Sequence, residues 1–137
     1  MRIYGEELIY SGAWVVLIGT AIAAVGQTKV TTTESPKGSK LVAQGNMVEA
    51  FGNSLQALGN EKLFLEEREQ FQINTITGAW LQTVGNITNT VATNIEMNIS
   101  KEEGAGLNAV GSGIQGLGAI YEAMGAAEGS SPINNWK

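Results

Sequence analysis

The stretch Gly45-Asn46-Met47-Val48-Glu49-Ala50-Phe51-Gly52-Asn53-Ser54-Leu55-Gln56-Ala57-Leu58-Gly59 carries a glycine at every seventh position. Between the glycines, Val48, Phe51, Leu55 and Leu58 recur in alternating steps of three and four, the heptad stripe of a helix that packs along its length. Moving outward by 33 residues in either direction recovers the same grid. Upstream it reads Gly12, Gly19 and Gly26, with Leu8, Val15, Ile18, Ile22 and Val25. Downstream it reads Gly78, Gly85 and Ala92, then Gly111, Gly118 and Gly125. A fixed period in this range marks repeated structural units. The pattern predicts an all-α fold: an antiparallel four-helix bundle of 33-residue glycine-heptad repeats.

The blocks alternate in kind. The first and third both read Gly-Ala-Trp, at Gly12 to Trp14 and Gly78 to Trp80, whereas the second and fourth lack the tryptophan. Two similar helical hairpins, one duplicated from the other, account for the alternation. Each helical glycine costs about 1 kcal/mol relative to alanine. Eleven on one grid therefore need an offsetting gain, and the natural one is close approach of backbones with added dispersion contact. The residues expected to determine helix packing are Gly12, Gly19, Gly26, Gly45, Gly52, Gly59, Gly78, Gly85, Gly111, Gly118 and Gly125. Trp14 and Trp80 join them, each interlocking with a glycine across the seam. The apolar heptad residues are expected to form the seam itself, with the glycines flanking it.

Composition narrows the function. The 137-residue chain contains no cysteine, histidine or aspartate; all 13 acidic residues are glutamate. That removes the disulfide framework, the thiol nucleophile, the usual general base and the commonest metal ligand together. No catalytic, cofactor-binding or metal site is expected, and the chain reads as non-enzymatic. A net charge of −5 without a Lys/Arg cluster argues against nucleic acid. Gly104-Ala105-Gly106 and Gly111-Ser112-Gly113 lack the preceding strand and following lysine of a phosphate loop. Glu66, Glu67, Glu69, Glu102 and Glu103 read as solvated helix ends. Asn86-Ile87-Thr88 and Asn98-Ile99-Ser100 match the glycosylation triplet, but nothing else points to secretion.

Charge is low, at 15%, and residues 8–28 and 70–95 carry none. Helical faces made of Thr, Asn and Gln in place of Lys and Glu suggest that more than one face is covered. The expected partner is another copy of the chain, or another protein, in the cytoplasm. The alternative is a membrane-active protein of the pore-forming or holin-like kind, inserting through residues 8–26. Those 19 uncharged residues match the length of a span. The sequence alone favours a core helix, because the other three blocks carry Glu49, Glu122 and many amides.

Local signals place helix one over about 6–25, a loop over 27–39 around Pro36 and Gly38, and helix two from about Ser39 to Gln70. A turn follows near 72–75, the alternative being that helices two and three merge into one long rod. Helix three is expected over about 76–99, and helix four from Leu107 to Ala127 after a break at Gly104-Ala105-Gly106. One domain is expected over residues 1–128, with a mobile tail over 129–137 in which Trp136 could anchor against a partner. The units Gly52-Asn53-Ser54-Leu55-Gln56-Ala57-Leu58-Gly59-Asn60 and Gly78-Ala79-Trp80-Leu81-Gln82-Thr83-Val84-Gly85-Asn86 resemble an uncharacterised family of short repetitive proteins. That family occurs in spore-forming Gram-positive bacteria. The resemblance implies a bacterial, non-enzymatic context and transfers no functional residue.

Overall fold

The computed structural model describes residues 4–33, 36–67 and 69–130. It is all-helical over these residues: α1 runs Gly5–Thr33, α2 Pro36–Glu67, α3 Phe71–Asn98 and α4 Lys101–Gly129. The helices pack in chain order, α1 on α2, α2 on α3 and α3 on α4, leaving α1 and α4 on the two flanks. This is a four-helix arrangement of two hairpins joined through α2 and α3.

The glycine grid runs down the middle of each hairpin. In the first, Gly5 meets Gly59, Gly12 meets Gly52, Gly19 meets Gly45 and Gly26 meets Gly38. A Cβ added at Gly12 would stand 2.5 Å from the Gly52 carbonyl oxygen, and one added at Gly52 would stand 2.7 Å from that of Gly12. In the second, Gly78 meets Gly118 and Gly85 meets Gly111; Ala92 lies opposite Gly104, and Phe71 opposite Gly125. Adding 66 to every member of the first hairpin's pairs gives the second hairpin's pairs, so the two share one register.

Each glycine is covered by the residue four places after its partner. Val16 lies over Gly52, Gln56 over Gly12, Glu49 over Gly19, Gln82 over Gly118 and Gln115 over Gly85. The reason is helical geometry, since a residue and its i+4 neighbour share a face.

Several sequence expectations need correction. The expected loop over 27–39 is helix on both sides of the connection, with α1 reaching Thr33 and α2 starting at Pro36. Thr28, Thr31, Thr32 and Thr33 turn their hydroxyls back onto the carbonyls four residues earlier, so these hydroxyls find partners without leaving the helix. Proline in a first turn lacks only an amide that has no helical partner there. Gly38 is a seam residue, not a loop residue. The turn expected near 72–75 falls earlier, because α3 begins at Phe71.

Gly104-Ala105-Gly106 is not a break. Ser100 caps α4 by accepting a hydrogen bond from the Glu103 amide at 3.3 Å, so the helix starts before the glycines. At the other end α4 extends to Gly129. Residues 131–137, including Trp136, lie outside the described residues.

Candidate functional site

The eleven grid glycines named from the sequence all sit in the two seams. Gly5, Gly38 and Gly104 belong to the same seams, each seven residues before a named glycine. Extending the grid one step past each block would have found them. The tryptophans lie elsewhere. Trp14 is 67% exposed on α1, and Trp80 is 37% exposed beside α2, its Nε1 donating to Glu61 Oε1 at 2.7 Å. Neither ring is among the atoms nearest any glycine.

The apolar heptad also divides differently from its sequence reading. Glycine, not the apolar stripe, forms the centre of each seam. Leu8, Val15 and Ile22, with Val48 and Leu55, flank the glycines half-buried. The residue directly before a glycine stands about 100° around the helix from it, and such residues point outward: Ile18, Val25, Phe51, Leu58, Val84 and Leu117 are all exposed.

The interior is correspondingly small and polar. The buried apolar side chains are Ala43, Ala50, Ala57, Ala79 and Ala92, and the largest fully buried side chain is Asn86, 1% exposed. Asn53, Gln72, Thr83, Asn89, Thr90 and Thr93 are buried with it. Sequence reading treated these amides and hydroxyls as the uncharged outer faces; they line the inside.

A chain of hydrogen bonds crosses the four helices laterally. Glu49 on α2 bonds to Thr20 on α1 and to Asn86 on α3. Asn86 Oδ1 accepts from Gln115 Nε2 on α4, and Asn89 Nδ2 donates to Gln115 Oε1 at 3.1 Å. Further along the second seam, Gln82 Nε2 donates to Glu122 Oε2 at 2.7 Å. Buried amides need such partners, since leaving one unpaired costs about 1–3 kcal/mol.

The arrangement offers little to covalent chemistry. A shallow groove between the hairpins places Glu122 among Ile9, Gln56, Asn60, Phe71 and Thr75, without a second ionisable group. Among the described residues, no three His, Cys, Asp or Glu side chains gather to hold a metal ion.

What distinguishes the molecule is its outer surface. Tyr10, Trp14, Leu17, Ile18 and Val25 are exposed on α1, and Val110, Leu117, Ile120, Tyr121 and Met124 on α4. The inner helices add Met47, Phe51 and Leu58 on α2 and Val84, Ile87 and Val91 on α3. The exposed residues between 105 and 127 of α4 include no charge; Glu122, the single acidic residue there, is half-buried. Among the described helices, α1 alone has the length and mean hydropathy of a membrane span. The other three carry more Asn, Gln, Ser, Thr, Gly and Glu and fall short of it.

The chain belongs to the family of unknown function DUF6944, which it matches over residues 7–136. Searches of curated proteins and of solved structures return no match.

Proposed function

We propose that this member of a family without an assigned activity is a non-enzymatic, membrane-embedded helical protein that crosses the bilayer four times. One observation carries the reading. The distribution of side chains is inverted: only glycines are buried on α1 and α4, only small or polar residues on α2 and α3, while large apolar residues are exposed on all four helices. In water this arrangement forfeits the burial that drives folding, about 25 cal/mol per Å² of apolar surface. In hydrocarbon it is the expected arrangement, because helices there associate through small residues and interhelical hydrogen bonds while apolar side chains face lipid.

The lengths agree. A span needs about 20 residues, and the uncharged windows run 8–28, 41–60, 70–95 and 104–127, interrupted by Glu49 and Glu122 alone. Both glutamates stand in the seams, bonded to neighbouring helices. An ionisable group within a span is expected to face the bundle interior in this way. The described charged residues outside these windows fall at the helix ends, Lys29, Lys37, Lys40, Glu96, Lys101, Glu102 and Glu103 at one and Glu6, Glu7, Glu61, Lys62, Glu66, Glu69 and Glu128 at the other. This reading replaces the cytoplasmic placement favoured by the composition, and extends the membrane alternative from one inserting helix to four.

The test is fractionation of the untagged protein. A membrane-embedded chain stays in the pellet through an alkaline carbonate wash and enters solution only with detergent. A monodisperse species in the detergent-free supernatant overturns the proposal.

A further inference from the structure

The 66-residue duplication leaves each hairpin with a face that its counterpart uses and it does not. On α2 the surface packed against α3 is built from Ala43, Asn46, Ala50, Asn53 and Ala57, with Ala43, Ala50 and Ala57 only 6%, 3% and 0% exposed. Adding 66 gives Ala109, Ser112, Gly116, Ala119 and Ala123 on α4, all of them exposed. On α3 the surface packed against α2 includes Ala79, Thr83, Asn86 and Thr90, all buried. Subtracting 66 gives Ala13, Leu17, Thr20 and Ala24 on α1, again all exposed. The seams themselves repeat without a shift in register, so the open faces hold the same positions on their helices as the filled ones.

We infer that the α4 face of one copy takes the α1 face of a second copy, repeating between chains the contact that α2 and α3 make within one. Gly116 is the equivalent of buried Ala50, yet a Cβ added there meets nothing within 4 Å. A helical glycine with no contact carries its propensity cost of about 1 kcal/mol unoffset, whereas the seam glycines all meet a partner helix. Within the chain, Ser54 and Thr83 lie 3.5 Å apart across the α2·α3 contact. Their equivalents are Ile120 and Leu17, so the contact between copies is the more apolar of the two. Because the surfaces on α4 and α1 differ, the association is head-to-tail. It closes into a ring if the rotation divides a full turn and otherwise extends as a filament. The contact does not depend on whether the outer faces meet lipid or water, so this inference and the membrane reading fail separately.

Cysteine crosslinking tests it on a background that contains no cysteine. The Thr90 hydroxyl donates to the Ala43 carbonyl at 3.3 Å, and the corresponding positions between copies are Ala24 and Ala109. Under mild oxidation, a chain carrying both Ala24→Cys and Ala109→Cys is expected to give a ladder of covalent oligomers. The two single variants, mixed, give only dimer. Adding Gly116→Leu to the double variant, with helicity unchanged by circular dichroism, is expected to reduce the ladder at least tenfold. Absence of the ladder overturns the inference, whether the protein is in membrane or solution. So does Ala109→Cys dimerising alone as readily as in the mixture, which would mean α4 pairs with α4.

Discussion

Replacing Gly52 by alanine sets two effects of opposite sign against each other. Alanine is the better helix former by about 1 kcal/mol, so an open position would gain stability. At Gly52 the new methyl stands 2.7 Å from the Gly12 carbonyl oxygen and 2.7 Å from the Val16 amide nitrogen. Ordinary contact begins near 3.4 Å, so α1 must retreat by 3.4 − 2.7 = 0.7 Å. Two of the three nearest atoms are backbone, and rotamer changes cannot relieve them. Overpacking of this kind costs typically about 1–3 kcal/mol. A gap of that size also removes roughly a quarter to a half of each neighbouring dispersion contact. We expect the upper part of that range and a net loss of about 2 kcal/mol after the propensity gain. The reference is Gly106→Ala, where the added carbon meets nothing within 4 Å, and a gain of up to about 1 kcal/mol is expected. Thermal unfolding followed by circular dichroism, in the same detergent or buffer for both, reads the two shifts. Opposite signs are required. If Gly52→Ala raises the melting temperature as Gly106→Ala does, the seam is not a backbone contact.

Three further outcomes follow from other contacts. Asn86→Ala strips a partner from both Glu49 and Gln115 inside the bundle and should lower stability by about 1–3 kcal/mol in a denaturant titration. Ser100→Ala removes the α4 cap, with an expected cost of about 1 kcal/mol and faster amide exchange over residues 101–104 than in the parent chain. Trp80→Phe keeps the ring but loses the bond to Glu61; on this half-open surface the change should stay below about 1 kcal/mol by the same unfolding assay.

The number and kind of helices were legible because glycine spacing is a backbone requirement, and it survives whatever surrounds it. Gly12, Gly19, Gly45 and Gly52 could be placed on one grid from spacing alone. Helix ends were less legible, because local signals compete. Thr31-Thr32-Thr33 and Pro36 read as a loop by propensity, yet the hydroxyls find carbonyls within the helix, the proline sits in a first turn, and the Gly26–Gly38 contact packs the two ends together. Ser100 and Glu103 stand in the spacing of a capping box, and that signal outweighs the two glycines after it. The direction in which Ile18, Val25, Phe51 and Leu58 point was misread for a physical reason. Apolar periodicity locates a stripe but does not say whether water, lipid or a neighbour lies against it. In a seam made of glycine, the usual assignment of apolar to inside is reversed.

The common register of the two seams has a consequence for how a chain finds its native pairing. A glycine zipper is a ruler with identical divisions: sliding one helix past the other by seven residues, about 10.5 Å, again sets glycine on glycine. Most of the backbone contact therefore does not distinguish the correct alignment from its neighbours on the ruler. The unequal groups laid over the glycines provide the discrimination. Glu49 finds the Thr20 hydroxyl only when Gly45 faces Gly19; one notch away it lies over Gly12 or Gly26, beside Ala13 or Gln27. The short span between the end of α1 at Thr33 and the start of α2 at Pro36, like that between α3 and α4, limits slippage within a hairpin, but does nothing to stop α1 of one chain from zipping onto α2 of another. Exchange of whole helices between copies in the native register would remake every one of these contacts, so the hydrogen-bonded chain selects the alignment and not the partner.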